Sequence, residues 1–149
     1  MAHTYYNLLI HFIFSTKDRA PFIDEHIRER LIRYMGGVVR ELKGTAEAIN
    51  AVEDHVHILI SMSSDVAAGE MMRVVKTNSS RWVHETWPAR EFAWQEGYAA
   101  FTVSESNAEK VKEYIARQVE HHRTKSFQEE YLEFLKRHRV EYDPRFIWK

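Results

Sequence analysis

Two periods of apolar residues alternate along this chain. Tyr5 to Ser15 is dense in Tyr, Leu, Ile and Phe and runs into the polar Ser15-Thr16-Lys17-Asp18, which predicts a strand and its exit turn. After Pro21 the period lengthens. Asp24 can cap a helix on which Ile27, Leu31, Met35, Val38, Val39 and Leu42 recur at helical spacing until Gly44. Thr45 to Val52 alternates weakly and predicts a second strand. Glu53 and Asp54 then make a tight connection into the β-branched run His55 to Ile60, so the second and third strands form a hairpin. Asp65 can cap a second long helix that turns Met71, Met72, Val75, Trp82 and Val83 inward and is closed by Pro88. A turn and a fourth strand follow between Phe92 and Ser104. Ser106 and Glu109 have capping-box spacing and open a helix with Val111, Ile115, Val119 and His122 on one stripe. Ser126 and Glu129 repeat the device before a last helix carrying Phe127, Tyr131, Leu135 and His138.

The order strand, helix, strand, strand, helix, strand, helix, helix predicts an α+β fold. It fits a ferredoxin-like split βαβ arrangement with an antiparallel sheet, helices on one face and extra C-terminal helices. At 149 residues the chain suits one domain, 1–149, and can bury a substantial core. Hydrophobic residues make up 44% and charged residues 29%, the balance of a globular chain rather than a disordered one. The absence of cysteine excludes disulfides, a thiolate nucleophile and cysteine-bound zinc. No signal-peptide pattern and no apolar run near the ~20 residues of a membrane span are present, so a cytoplasmic location and no membrane partner are expected. With a net charge of −1, any nucleic-acid contact has to come from local basic patches.

Candidate chemistry begins at Asp54-His55-Val56-His57. In a strand, alternate side chains share a face at a rise of about 3.3 Å per residue, so His55 and His57 lie with Cα atoms roughly 7 Å apart and can converge on one cation. Val56, Ile58 and Ile60 then anchor the other face, and something polar must line the histidine face. Tyr114 and Gln118 are four residues apart on the penultimate helix, neighbours at about 6 Å beside its apolar stripe, and both can face the histidine strand. Two imidazoles and a carbonyl oxygen would suit a borderline or hard divalent ion with positions left open for substrate oxygens. A tyrosine beside such an ion suggests covalent phosphoryl transfer: phenolate, from a group with pKa about 10, leaves more readily than an alkoxide, so a phosphotyrosine link stays reversible. The chain has no phosphate-binding loop of the nucleotide-hydrolysing kind, in keeping with chemistry that needs no nucleotide.

These residues carry a family resemblance. Asp54-His55-Val56-His57-Ile58-Leu59, Trp94-Gln95-Glu96-Gly97-Tyr98-Ala99-Ala100-Phe101, and Tyr114-Ile115 with Gln118 and His121-His122 together resemble the single-tyrosine HUH transposases of small bacterial insertion sequences, including REP-associated relatives. Phe14-Ser15-Thr16-Lys17 and the segment Lys76 to Arg81 fit the same pattern, which runs nearly end to end. The resemblance implies that His55, His57 and Gln118 match the metal ligands, for magnesium or manganese, and that Tyr114 matches the nucleophile forming a 5′-phosphotyrosine on single-stranded DNA. It also implies homodimers that recognise imperfect hairpins at element ends, with active sites that can be shared between subunits. Thr77 departs from the family's usual glycine before the serines, a difference bearing on helix packing or DNA contact rather than on chemistry.

Other readings stand beside this one. The chain could be a non-catalytic nucleic-acid-binding or regulatory protein derived from such an enzyme, or a metal-dependent nuclease that activates water. Arg73, Lys76, Ser79, Ser80 and Arg81 could grip a hairpin backbone or simply form a solvated helix face. His121, His122, Arg123 and Lys125 suit either phosphate contact or the capping of a helix C-terminus. Glu53 and Asp54 could orient a ligand histidine or serve only the hairpin turn.

Overall fold

The computed structural model describes residues 3–122 and 125–149. The first strand, β1, spans Leu9–Ser15, shorter than its apolar run. Both of its neighbours end opposite Leu9, at Ser61 and Val103, so the residues before it have no ladder to join and Tyr5 and Tyr6 stay exposed. Helix α1 (Glu25–Glu41) starts where expected: the Asp24 carboxylate accepts from the backbone N–H groups of His26 and Ile27 at 2.9 and 3.1 Å. Lys43 takes a left-handed φ of 62° on the way out, and Gly44 follows where a Cβ would press on Met71, Val39 and Ile60 at 3.2–3.3 Å.

Strands β2 (Thr45–Ala51) and β3 (His55–Ser61) form the hairpin, helix α2 spans Ala68–Thr86, and β4 is Ala99–Val103. The sheet order is β2-β3-β1-β4 with every neighbouring pair antiparallel. β1 and β2 therefore run parallel with β3 between them, which is the split βαβ arrangement. Against one face, α1 and α2 bury Ile27, Leu31, Met35, Met71, Met72 and Val75 on Phe12, Phe14, Val56, Ile58 and Ile60.

Extra helices near the C-terminus cover the other face: α3 (Ala108–Ala116), the short α4 (Gln118–His121) and α5 (Phe127–Arg137). Phe127, Tyr131 and Leu135 of α5 pack on Ile13 and Phe101, while Ala108 and Ile115 of α3 pack on Leu9 and Leu59.

Three local expectations are corrected. Asp65 does not cap α2; its backbone N–H donates to Ser63 Oγ in a turn, and the helix starts later, after Ala67. The Ser106–Glu109 box does not form, because Ser106 lies in a 3₁₀ turn with its hydroxyl on Ser104, and α3 starts after Asn107 without a side-chain cap. The single helix expected through His122 breaks at Arg117 (φ −98°, ψ 20°). That break rotates the last turn, so Val119 is 51% exposed and Gln118, at 1%, faces inward in its place. The Ser126 cap of α5 forms as expected, accepting from the Glu129 N–H at 3.2 Å.

Candidate active site on the polar face of the sheet

Alternation along β3 builds the site. Val56, Ile58 and Ile60 point into the core under α1 and α2, which forces His55 and His57 onto the face covered by α3–α5. The two rings lie 5.2 Å apart, centroid to centroid, and both are at most 1% exposed. Each has its outer nitrogen fixed from behind. Asp54 Oδ1 lies 2.7 Å from His55 Nδ1, and since a carboxylate only accepts, that nitrogen carries the proton and Nε2 turns toward the site. His57 Nδ1 lies 2.8 Å from Nε2 of His11, a buried residue of β1. The His11–His57 pair can carry its shared proton on either ring, leaving His57 Nε2 free to donate or to coordinate. Burial, partly opposed by Glu130, lowers His57 to about 4, which keeps the ring neutral as a ligand must be, and burial together with His57 holds His11 well below an ordinary histidine.

Glu130 of α5, 1% exposed, closes this face. Its Oε1 lies 2.8 Å from His57 Nε2, 3.3 Å from His122 Nε2 and 3.6 Å from His55 Nε2. Its Oε2 lies 3.0 Å from His121 Nε2 and accepts the Tyr114 hydroxyl. Burial alone would raise this carboxyl, but hydrogen bonds from His122 and His57 outweigh it and hold Glu130 well below the usual carboxylate range. It is a buried anion, kept so by the imidazoles around it. Burial, reinforced by that negative charge, pushes the Tyr114 phenol well above an ordinary tyrosine.

The other expected site residues divide into two groups. Gln118, turned inward by the Arg117 break, places Oε1 3.2 Å from His55 Nε2 and 2.9 Å from His122 Nε2. His121 and His122, expected as DNA contacts or caps, face into the site on Glu130, Tyr114 and Gln118. Arg123 lies outside the described residues.

The α2 group sits across the sheet, away from Tyr114. Ser79, expected to contact DNA, is wholly buried and accepts from Trp94 Nε1 at 3.0 Å, so its hydroxyl is spent inside the fold. The Lys76 ammonium donates to the carbonyls of Gln95, Glu96 and Gly97 and pins that loop. Arg73 pairs with Glu70, and Arg81 is exposed. Arg73, Lys76 and Ser80 line a groove of about 450 Å³ with Trp94 and Tyr98.

Beside Tyr114 runs another groove, of about 350 Å³. It is lined by Phe101, Phe134, His138, Lys110 and Arg137 among others, with no acidic residue. On the far side of His122 lies a cavity of about 750 Å³ bordered by Asp24, Glu25, Glu53 and Asp54. Cations and aromatics therefore line one side of the phenol, whereas a cavity of about 440 Å³ on its other side mixes Lys110, Arg117 and His121 with Glu113 and Glu120.

The donor set suits a divalent cation. Ligand atoms of His55, His57, His122 and Glu130 lie within 4.8 Å of one another, and Gln118 Oε1 is close to two of them. Mixed imidazole and oxygen donors, with the Nδ1 partner of each β3 histidine in place, are ligand types that a divalent cation takes.

The family model for IS200-like transposases matches residues 4–118. The chain belongs to the IS200-like transposase family. That is the single-tyrosine group the sequence resembles, and with the family comes a transposase role. Among solved structures, a candidate transposase from Deinococcus radiodurans R1 is similar at 21% identity and a TM-score of 0.66, over 79% of this chain and 95% of that one. A REP-associated tyrosine transposase bound to a REP hairpin is similar at 14% identity and a TM-score of 0.58, over 81% of this chain and 74% of that one. At these identities the two neighbours speak for the shared fold. No curated protein matches the sequence. The family match ends at Gln118, so His121, His122 and Glu130 lie beyond the part of this IS200-like transposase that the match covers.

Sequence reasoning missed Glu130 and His11. Each left a signal: an acidic residue beside Tyr131 and three from Phe127 on the buried stripe of α5, and a histidine inside the apolar run of β1.

Proposed function

We propose that this IS200-like transposase cleaves and rejoins single-stranded DNA at hairpin-marked element ends through Tyr114. The observation that carries the reading is that the Tyr114 phenol hydrogen-bonds the same carboxylate that bridges His55 and His57, within one chain. Tyr114 Oη attacks the scissile phosphorus. Its bond to phosphorus forms as the P–O3′ bond breaks, the phenol loses its proton, and the departing 3′ oxygen gains one. The product is a 5′-phosphotyrosine and a free 3′-hydroxyl, and attack by a later 3′-hydroxyl reverses the step without a nucleotide. His55, His57 and Gln118 would hold magnesium or manganese, which would polarise the phosphate and offset the charge that develops on it.

The groove beside Tyr114 supports a single-stranded substrate, since a lining of aromatics and cations that holds no acidic residue suits unpaired bases and their phosphates. A structural neighbour bound to a hairpin supports hairpin recognition here. On this reading residues 1–149 act as one HUH domain on DNA in the cytoplasm. Each chain uses its own Tyr114, and a homodimer supplies the two sites needed to join two ends. Among the described residues no helix is long and apolar enough to cross a membrane.

The test is incubation with a labelled hairpin oligonucleotide carrying the element end and Mn2+, followed by a denaturing gel. The wild-type chain should carry label covalently and Tyr114→Phe should not. Cleavage that persists in Tyr114→Phe without an adduct would instead favour the nuclease that activates water.

A further inference from the structure

We infer that Glu130 is both a metal ligand and the positioning residue for the nucleophile: one carboxylate oxygen completes the cation site and the other holds the Tyr114 phenol beside it. This rests on the reading of His55 and His57 as ligands, and extends it to a helix outside the family match.

Charge is the first argument. His55, His57 and Gln118 are neutral when they coordinate, so by themselves they bring no negative charge to a divalent cation. Magnesium and manganese bind preferentially where a carboxylate contributes. Glu130 is the one acidic member of the cluster among the described residues, and its Oε1 lies 2.8, 3.3 and 3.6 Å from the Nε2 atoms of His57, His122 and His55.

Division of labour within the carboxylate is the second argument. Oε2 points the other way, onto the Tyr114 hydroxyl and His121 Nε2. A single planar group thus spans from the histidine pair to the phenol, and would set the spacing between a bound cation and the nucleophile.

Rigidity is the third. Glu130 is fixed in α5 between Phe127 and Tyr131, which pack with Leu135 on Ile13 and Phe101, and the Ser126 cap starts the helix one turn earlier. Helix α5 is therefore part of the active site as well as a cover for the sheet.

The experiment compares wild type, Glu130→Gln, Glu130→Ala and His57→Ala, each checked for folding by circular dichroism. Mn2+ affinity is measured by calorimetry without DNA, and the single-turnover rate of adduct formation is measured at saturating Mn2+. The expected result is that both Glu130 variants lose at least about tenfold in Mn2+ affinity. At saturating Mn2+ they should still form adduct at least about tenfold more slowly, with unchanged affinity for the oligonucleotide. Wild-type Mn2+ affinity in both Glu130 variants, alongside loss in His57→Ala, would overturn the ligand role while leaving the histidine site standing. A wild-type adduct rate at saturating Mn2+ would overturn the positioning role. Undiminished Mn2+ binding in His57→Ala would instead overturn the histidine site on which the inference rests. If Glu130→Gln fails to fold, Glu130→Ala decides alone, and the reverse.

Discussion

β3 presents two different environments on alternate residues. On one side Val56, Ile58 and Ile60 are fully buried under α1 and α2, in contact with Phe12 and Phe14, and nothing there needs a particular partner beyond its volume. On the other side His55 and His57 are just as buried, yet their ring nitrogens all answer to named groups: Asp54, His11, Gln118 and Glu130. Among the described residues no buried side-chain nitrogen or oxygen lacks a hydrogen-bond partner. The apolar face holds the strand in place, and the polar face uses that fixed position to aim ligands. Equal burial thus hides unequal tolerance. Volume-conserving swaps should be mild on the apolar face, whereas on the polar face even an isosteric change removes a specific donor or acceptor.

Four changes would break or sharpen this contrast. The largest is Tyr114→Phe, which should reduce covalent adduct to background on a denaturing gel while urea denaturation shows a fold as cooperative as wild type. Next comes Phe12→Ala on the apolar face, expected to cost about 3–5 kcal/mol of unfolding free energy by urea titration. If it behaved like a surface substitution, that face would not be the anchor. Asp54→Asn comes third: without an acceptor-only partner the His55 ring is no longer held in its ligating tautomer, and Mn2+ affinity by calorimetry should fall about 10- to 100-fold. The smallest is Arg137→Ala in the acid-free groove, which should weaken oligonucleotide binding and lower the slope of log affinity against log salt by about 0.7. An unchanged slope would place the strand elsewhere, with the groove lined by Arg73, Lys76 and Ser80 next to be tried.

Much of the fold could be read from the sequence because periodicity is local. The apolar run of β1, the helical spacing of Ile27 to Val39 and the period-two core residues of β3 each state their own geometry. Capping was legible only where side chain and backbone agreed: Asp24 and Ser126 cap as their spacing suggests, whereas Ser106 was diverted by a 3₁₀ turn that no pattern announces. The structure brings Tyr114, Gln118, His55 and His57 together as the spacing anticipated, but by a route the spacing did not contain. Gln118 faces inward because the helix breaks at Arg117, not because a continuous helix presents it beside Tyr114. Glu130 left only its place on the buried stripe of α5, and its role depends on α5 folding back over the opposite face of the sheet, a long-range packing event. In the sequence it looks like one of several acidic residues on an amphipathic helix. His121 and His122 had been open to phosphate contact or helix capping, and their contacts with Glu130 appear only once α5 is folded over the sheet.

The most direct measurement is a crystal structure with Mn2+, using anomalous scattering to locate the ion. The account predicts one anomalous peak bonded to the Nε2 atoms of His55 and His57, at about 2.0–2.3 Å for imidazole nitrogen, with the Tyr114 hydroxyl of the same chain facing it. A peak elsewhere, or a peak at the histidines with Tyr114 directed away from it, would contradict the account.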